Sequence, residues 1–193
     1  VSGADAYNWY TWLQLGMVYL AEKKLNDAKK ALDRSMTLKP SCWAMYGLAN
    51  IARMEGNHEK AAMLAFRASL MKPDDPSLAK EAVKLLYHAK MYAKTLDLTQ
   101  RLPEDIANLG RIKLIKAFAH LQLGEIEKAE ELLYEGGGII VPDIREGENS
   151  VTDLWFAIEE AKAAKEGRMF DREEAQPPAH LDFRMNAVRR KKG

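Results

Sequence analysis

Trp12-Leu13-Gln14-Leu15-Gly16-Met17-Val18-Tyr19 spaces an indole, a leucine, a glycine and a tyrosine as W-x2-L-G-x2-Y. A glycine inside a helix costs about 1 kcal/mol, so Gly16 needs a packing reason. A second helix crossing too closely for a side chain supplies one. Downstream, Ala28, Leu32 and Pro40 provide a small residue, a bulky apolar residue and a helix stop. Recurrence decides the reading: Ala28 to Ala61 is 33 residues, and Pro40 to Pro73 is 33 residues. A unit of this length is one helical hairpin, which cannot bury its apolar face alone and must stack on a neighbour.

The hairpins follow one another along the chain. In the first, helix A carries Trp12, Leu15, Gly16 and Tyr19, and helix B carries Ala28, Ala31, Leu32 and Met36. The second runs from Ser41 to Pro73, with Met45, Leu48, Ala49 and Ala52 in helix A and a Gly56-Asn57 turn. Gly suits a left-handed helix end, and Asn caps the next helix. The third opens at Asp75-Pro76, a capping carboxylate followed by proline at the first helical position. The fourth contains Leu114, Ala117, Phe118 and Leu121, then Gly124, Ala129, Leu132 and Leu133. Ala93 to Ala129 is 36 residues, which predicts a small insertion before the fourth hairpin.

These motifs resemble the tetratricopeptide repeat (TPR) over about Trp9 to Tyr134. The resemblance implies an all-α, right-handed solenoid of about four hairpins whose A helices line a concave binding face. After Tyr134 the pattern breaks at Gly136-Gly137-Gly138, which cannot continue a helix cheaply. Ser150-Val151-Thr152-Asp153 is a capping box that predicts a helix running to about Gly167. Leu154, Trp155, Ile158, Ala161 and Ala164 would form its apolar face. A solenoid end exposes apolar surface, so this helix is expected to cap the stack. The expected organisation is a repeat solenoid over 1–135, with a linker, capping helix and tail over 136–193.

The C-terminal motifs, from Val141-Pro142-Asp143 through Leu154-Trp155-Phe156 to Leu181-Asp182-Phe183-Arg184-Met185, resemble something narrower. They are similar to the end of large bacterial proteins that join a galactose-mutarotase-like domain of unknown function to TPR repeats. That resemblance implies a parent protein connected with carbohydrate. No catalytic residue carries over from it.

Composition narrows the function. Net charge is +1, so no bulk electrostatic argument for nucleic acid holds. The basic end Arg189-Arg190-Lys191-Lys192 reads as a solvated tail. The single cysteine, Cys42, excludes an internal disulfide and a multi-cysteine zinc site, and it fits a reducing, cytoplasmic setting. No apolar run reaches the length of a membrane span. The start Val-Ser-Gly-Ala-Asp lacks an initiator Met and reads as a fragment of a longer protein. His58, His88, His120 and His180 are not at metal spacing. Asp143, Glu146, Glu148 and Asp153 cluster where acids satisfy backbone donors and favour a helix dipole. No catalytic residue, metal or cofactor is expected.

By position, Tyr10, Leu13, Met17, Trp43, Tyr46, Asn50 and Arg53 should face the concave surface, with Leu114 and Phe118 in the fourth hairpin. An apolar, aromatic groove of this kind suits a peptide from a partner, anchored by Tyr, Trp and Arg. Another domain of the same parent chain, or the helix around Trp155, could fill it instead. A clamp for a terminal carboxylate is disfavoured, because Leu13 and Met17 stand where it needs Lys and Asn. The expected function is a non-enzymatic interaction scaffold. The alternative is an accessory C-terminal domain of a mutarotase-like, carbohydrate-active protein.

Overall fold

A computed structural model describes residues 3–142 and 150–183. The described residues form helices without strands, in two compact units divided between Ile106 and Ala107. The first unit holds three hairpins: α1 (Gly3–Ala21) with α2 (Leu25–Leu38), α3 (Cys42–Met54) with α4 (His58–Met71), and α5 (Pro76–His88) with α6 (Tyr92–Arg101). Each B helix also packs on the following A helix, α2 on α3 and α4 on α5. The A helix of the first hairpin begins at Gly3, earlier than its consensus residues indicate.

Leu32, fully buried, is the wedge of the first unit. A Cβ added at Gly16 would lie 2.6 Å from the Leu32 side chain and 3.3 Å from its backbone nitrogen. A Cβ at Gly47, on α3, would lie 2.8 Å from the same side chain. Two glycine notches on successive A helices therefore receive one leucine from the B helix between them. Leu13, Ala28, Ala44 and Ile51 complete the buried cluster, with Trp9, Tyr19 and Met36 packed around it. Burying such a leucine contributes about 1.5–3 kcal/mol. The expected close crossing at Gly16 is present, and Gly47 is a second notch that the repeat alignment does not mark.

The hairpin turns share one geometry. Lys23, Gly56, Lys90 and Gly124 all have positive φ (60°, 79°, 58° and 76°), spaced 33, 34 and 34 residues apart. In each turn the next residue's N–H donates to the carbonyl five residues back: Lys24 to Tyr19, Asn57 to Ala52, Met91 to Leu86 and Glu125 to His120, at 2.8–2.9 Å. This is the Schellman closure of a helix C-terminus. The same register places Ala28, Ala61, Thr95 and Ala129 at equivalent points, all fully buried. The expected insertion before the fourth hairpin is therefore corrected. The third repeat's small residue is Thr95 rather than Ala93, and the period holds. Thr95 passes for a small residue because its hydroxyl donates back to the Met91 carbonyl at 3.1 Å.

The second unit contains the fourth hairpin, α8 (Gly110–Gln122) and α9 (Ile126–Tyr134), with α10 (Val151–Lys165) packed on both helices. A four-residue helix, α7 (Glu104–Ala107), lies at the division between units. The capping box at the start of α10 forms: the Asp153 N–H donates to Ser150 Oγ at 3.2 Å, and the Ser150 N–H donates to Asp153 Oδ2 at 2.8 Å. Lys162 pairs with Glu130, and Lys165 with Glu127 at 2.6 Å, tying α10 to α9. The chain then returns over α10. The buried Thr152 hydroxyl donates to the Leu181 carbonyl at 2.6 Å and accepts from the Phe183 N–H at 3.0 Å. Arg172 stacks 4.7 Å from the Phe156 ring centroid.

This double cover corrects the expected apolar face of α10. Val151, Thr152, Leu154, Phe156, Ile158 and Ala163 are buried, while Trp155 and Ala161 are half-buried and Ala164 is exposed. A helix packed on one side by a hairpin and on the other by its own tail has no single stripe. Met185 and the basic end lie outside the described residues.

Two substitutions test this account. Gly16→Leu and Gly47→Leu should each destabilise the first unit by about 1–3 kcal/mol or more, through overpacking against Leu32, and an unchanged melting temperature for either would refute the wedge. Lys90→Gly should raise stability, because a left-handed residue with a Cβ is strained by roughly 1 kcal/mol. The measurement is the denaturation midpoint, and a fall would mean that the Lys90 side chain contributes more than its backbone costs.

Candidate interaction surface

Helices α1 and α3 position the expected binding residues, and burial separates them into two groups. Tyr10, Met17 and Trp43 are exposed by 53%, 41% and 44%, unusual for side chains of this size. Arg53 is exposed, and Tyr46 and Asn50 are half-buried. These six remain available to a partner.

Leu13, Leu114 and Phe118 do not, at 5%, 4% and 7% exposure. Their assignment to an open face is corrected. Leu13 belongs to the Leu32 cluster. Leu114 and Phe118 lie on α8, which is packed by both α9 and α10. Repeat position gives the direction of a side chain from its helix, and the neighbouring helices decide whether water reaches it.

The exposed residues are joined locally. Met17 Sδ lies 3.5 Å from where a Gly47 Cβ would stand, so Met17 reaches across from α1 to α3. The Asn50 side chain accepts a hydrogen bond from Arg53 Nη2 at 3.4 Å. Burial raises the Tyr46 phenol above its ordinary pKa, as does the nearby Glu81 carboxylate on α5, against the opposing effects of Asn50 and Arg53. The Tyr46 ring leans on the cluster of Cys42, Ala68 and Leu78. Tyr46 is therefore part anchor and part support.

Lys72 was not expected here. Its ammonium lies 5.3 Å from the Trp43 ring centroid and 3.3 Å from Asp75 Oδ2. Asp75 also caps α5, accepting from the Ser77 and Leu78 N–H groups at 3.0 and 3.1 Å. The signal was in the sequence: a Lys precedes the proline that ends each of the first two repeats, at Lys39-Pro40 and Lys72-Pro73. Lys39 lies over Trp9 at 4.6 Å, as Lys72 does over Trp43. Such cation–π contacts contribute about 0.5–1 kcal/mol at exposed sites.

Other polar clusters are committed to structure. His120 Nδ1 lies 2.5 Å from Glu125 Oε2 within the α8–α9 turn. A cleft of about 330 Å³ in the second unit is lined by Ser150, Thr152, Asp153, Phe156, Arg172 and Phe183. Its polar groups are engaged in the capping box, the Thr152 bridge and the Arg172–Asp153 pair. Asp143, Glu146 and Glu148 lie outside the described residues. Among the described residues no group of three or more His, Cys, Asp or Glu could hold a metal ion, and no helix is long and apolar enough to cross a membrane.

The tetratricopeptide-repeat family model matches residues 10–42. Over that segment the chain matches one tetratricopeptide repeat. Among solved structures it is similar to one titled for the functional characterisation of Pseudomonas aeruginosa pilF, with 17% identity and a TM-score of 0.52. That similarity covers 87% of this chain and 80% of the other. At such identity it shows a shared fold, and the fold is that of a TPR-like helical solenoid. No curated protein matches the chain.

Asp75 gives the surface a pH dependence. Backbone donation from Leu78, with Lys72 and Ser77, holds its carboxyl below the ordinary 3.8. A depressed folded pKa means that the stabilisation is complete above the unfolded value and is lost as pH falls through the folded one. Wild-type protein should therefore lose stability as pH falls below about 4 more steeply than Asp75→Asn, which keeps a capping oxygen but cannot titrate. Parallel acid-titration curves from circular dichroism would refute the assignment.

Proposed function

We propose that this chain is a non-enzymatic protein-interaction scaffold that holds a peptide segment along α1 and α3. The observation that carries the reading is the exposure of Tyr10, Met17 and Trp43 on A helices whose cores are filled by other residues. Helices that fill their cores with Leu13, Ile51 and Ala44 have no internal need to leave an indole and a phenol in water. An indole with Lys72 over its ring and a phenol beside Arg53 match the Trp, Tyr and Arg enrichment of interaction hot spots.

The test is selection of displayed random peptides on the whole chain, followed by affinity measurements with soluble copies. Trp43→Ala and Tyr10→Ala should each weaken selected peptides by about tenfold or more, the cost of losing an anchor. Leu123→Ala, also exposed but in the α8–α9 turn of the second unit, serves as the control and should leave affinity unchanged. Tyr46→Phe is preferred to Tyr46→Ala, because the ring also supports the core. Equal affinity in the Trp43 and Tyr10 variants, with helicity intact, would place binding elsewhere.

A further inference from the structure

The first unit builds one groove twice, open in one repeat and filled in the next. A cleft of about 170 Å³ lies where α2, α3 and α4 meet. Its lining includes the apolar Leu48, Ile51 and Leu64 and the charged Asp33, Glu55 and Lys60. The positive-φ turn residues Lys23, Gly56 and Lys90 give the register that finds its counterpart. Asp33 and Phe66 each stand ten residues after such a residue, Leu64 and Leu98 eight, and Lys60 and Lys94 four. In the later groove the Phe66 ring is 8% exposed, and the Lys94 ammonium lies 5.8 Å from its centroid. Leu98 is fully buried there, whereas Leu64 is half-buried. The later groove is thus closed by an aromatic ring of the chain itself. The earlier one keeps the lysine and the leucine, carries Asp33 where the ring would begin, and stays open.

From this pairing we infer that the open cleft receives an aromatic side chain of a partner polypeptide, seated on Leu48, Ile51 and Leu64 with Lys60 over its ring. The cleft shares no residue with Tyr10, Met17 and Trp43, so the site is independent of the surface proposed above. Its size fits, since a cavity of about 150 Å³ lined by apolar side chains holds one benzene ring. Its charge fits as well. Among the described residues neither Asp33, Glu55 nor Lys60 is ion-paired, so the ammonium is available to a ring face. An aliphatic side chain would cover the same leucines but offer Lys60 nothing to bind. A nucleobase is the weaker fit, because Asp33 and Glu55 would repel the phosphates that accompany it.

The later repeat supplies the decisive variant. Asp33→Phe should lay the chain's own ring in the cleft, raise the thermal midpoint by several degrees and block the site. Random displayed peptides are selected on the wild-type chain and counter-selected on Asp33→Phe. The survivors should carry Phe, Tyr or Trp and bind wild type about tenfold or more tighter than the variant. Replacing that residue by cyclohexylalanine, which keeps the shape and loses the π face, should weaken binding about two- to fivefold. Lys60→Gln should weaken the aromatic peptide by the same factor and leave the cyclohexylalanine peptide unaffected. Should Asp33→Phe fail to fold, Lys60→Gln, an exposed change, takes its place in the counter-selection. A lower midpoint for a folded Asp33→Phe, survivors without an aromatic residue, or equal binding of the cyclohexylalanine peptide would each overturn the inference. N-acetylphenylalanine amide binding as tightly as the peptides would overturn the polypeptide source in favour of a small molecule. A single-stranded oligonucleotide that displaced the peptides and bound more tightly would overturn it in favour of nucleic acid.

Discussion

One leucine between two glycines organises the first unit. Leu32 enters the space that side chains at Gly16 and Gly47 would occupy. It thereby joins the two helices of one hairpin to the first helix of the next. Close packing of this kind is intolerant: a single added methylene forces the leucine off its rotamer or the helices apart. The glycines lose helix propensity, about 1 kcal/mol each, and the burial of Leu32 with Ala28, Ala44 and Ile51 offsets that loss. The spacing of the A helices, and so the spacing of the exposed anchors above them, depends on this contact. Trp43 and Tyr46 lie on the same helix as Gly47, and Met17 reaches toward that glycine from α1.

The fold was legible because hairpin repeats write the same packing demand several times. Trp12, Gly16, Ala28 and Pro40 state it clearly, and Ala61 and Pro73 repeat it. The third repeat was hard to read for a physical reason. Its turn uses Lys90 in the left-handed region, where the second and fourth use Gly56 and Gly124. Its small position is Thr95, whose hydroxyl is satisfied by the helix itself. Both choices are strained or atypical, so residue identity hides a geometry that the backbone preserves. The first repeat makes the same substitution at Lys23, but its strong consensus elsewhere compensates.

The candidate surface was half legible. Tyr10, Met17, Trp43 and Arg53 are exposed, and Tyr46 and Asn50 half-buried. Leu13, Leu114 and Phe118 were misread because a helix position says nothing about what packs over it. In the second unit α10 packs on α8 as well as α9, so residues that would line an open face become core. Lys72 was missed for the converse reason, as it comes from the end of the same hairpin's B helix, α4, and not from an A helix. The motifs that prompted the expected link to mutarotase-like proteins fall partly at 143–149 and 184–185, outside the described residues.

The two units hold their helices by different means, and this bears on what each contributes. In the first, apolar wedging dominates, with small residues such as Ala44, Ala61 and Ala65 letting helices approach. In the second, α10 is joined to α9 through Lys162–Glu130 and Lys165–Glu127, and its tail is pinned by the Thr152 hydroxyl. A buried hydroxyl bonded on both sides fixes one arrangement, because losing either partner leaves an unsatisfied buried group. Exposed ion pairs add little stability but select an orientation. The second unit thus spends its polar groups and its α8 face on internal order. The first unit leaves its aromatic and cationic side chains facing water. The side chains proposed for recognition lie on α1 and α3, where the core is complete without them.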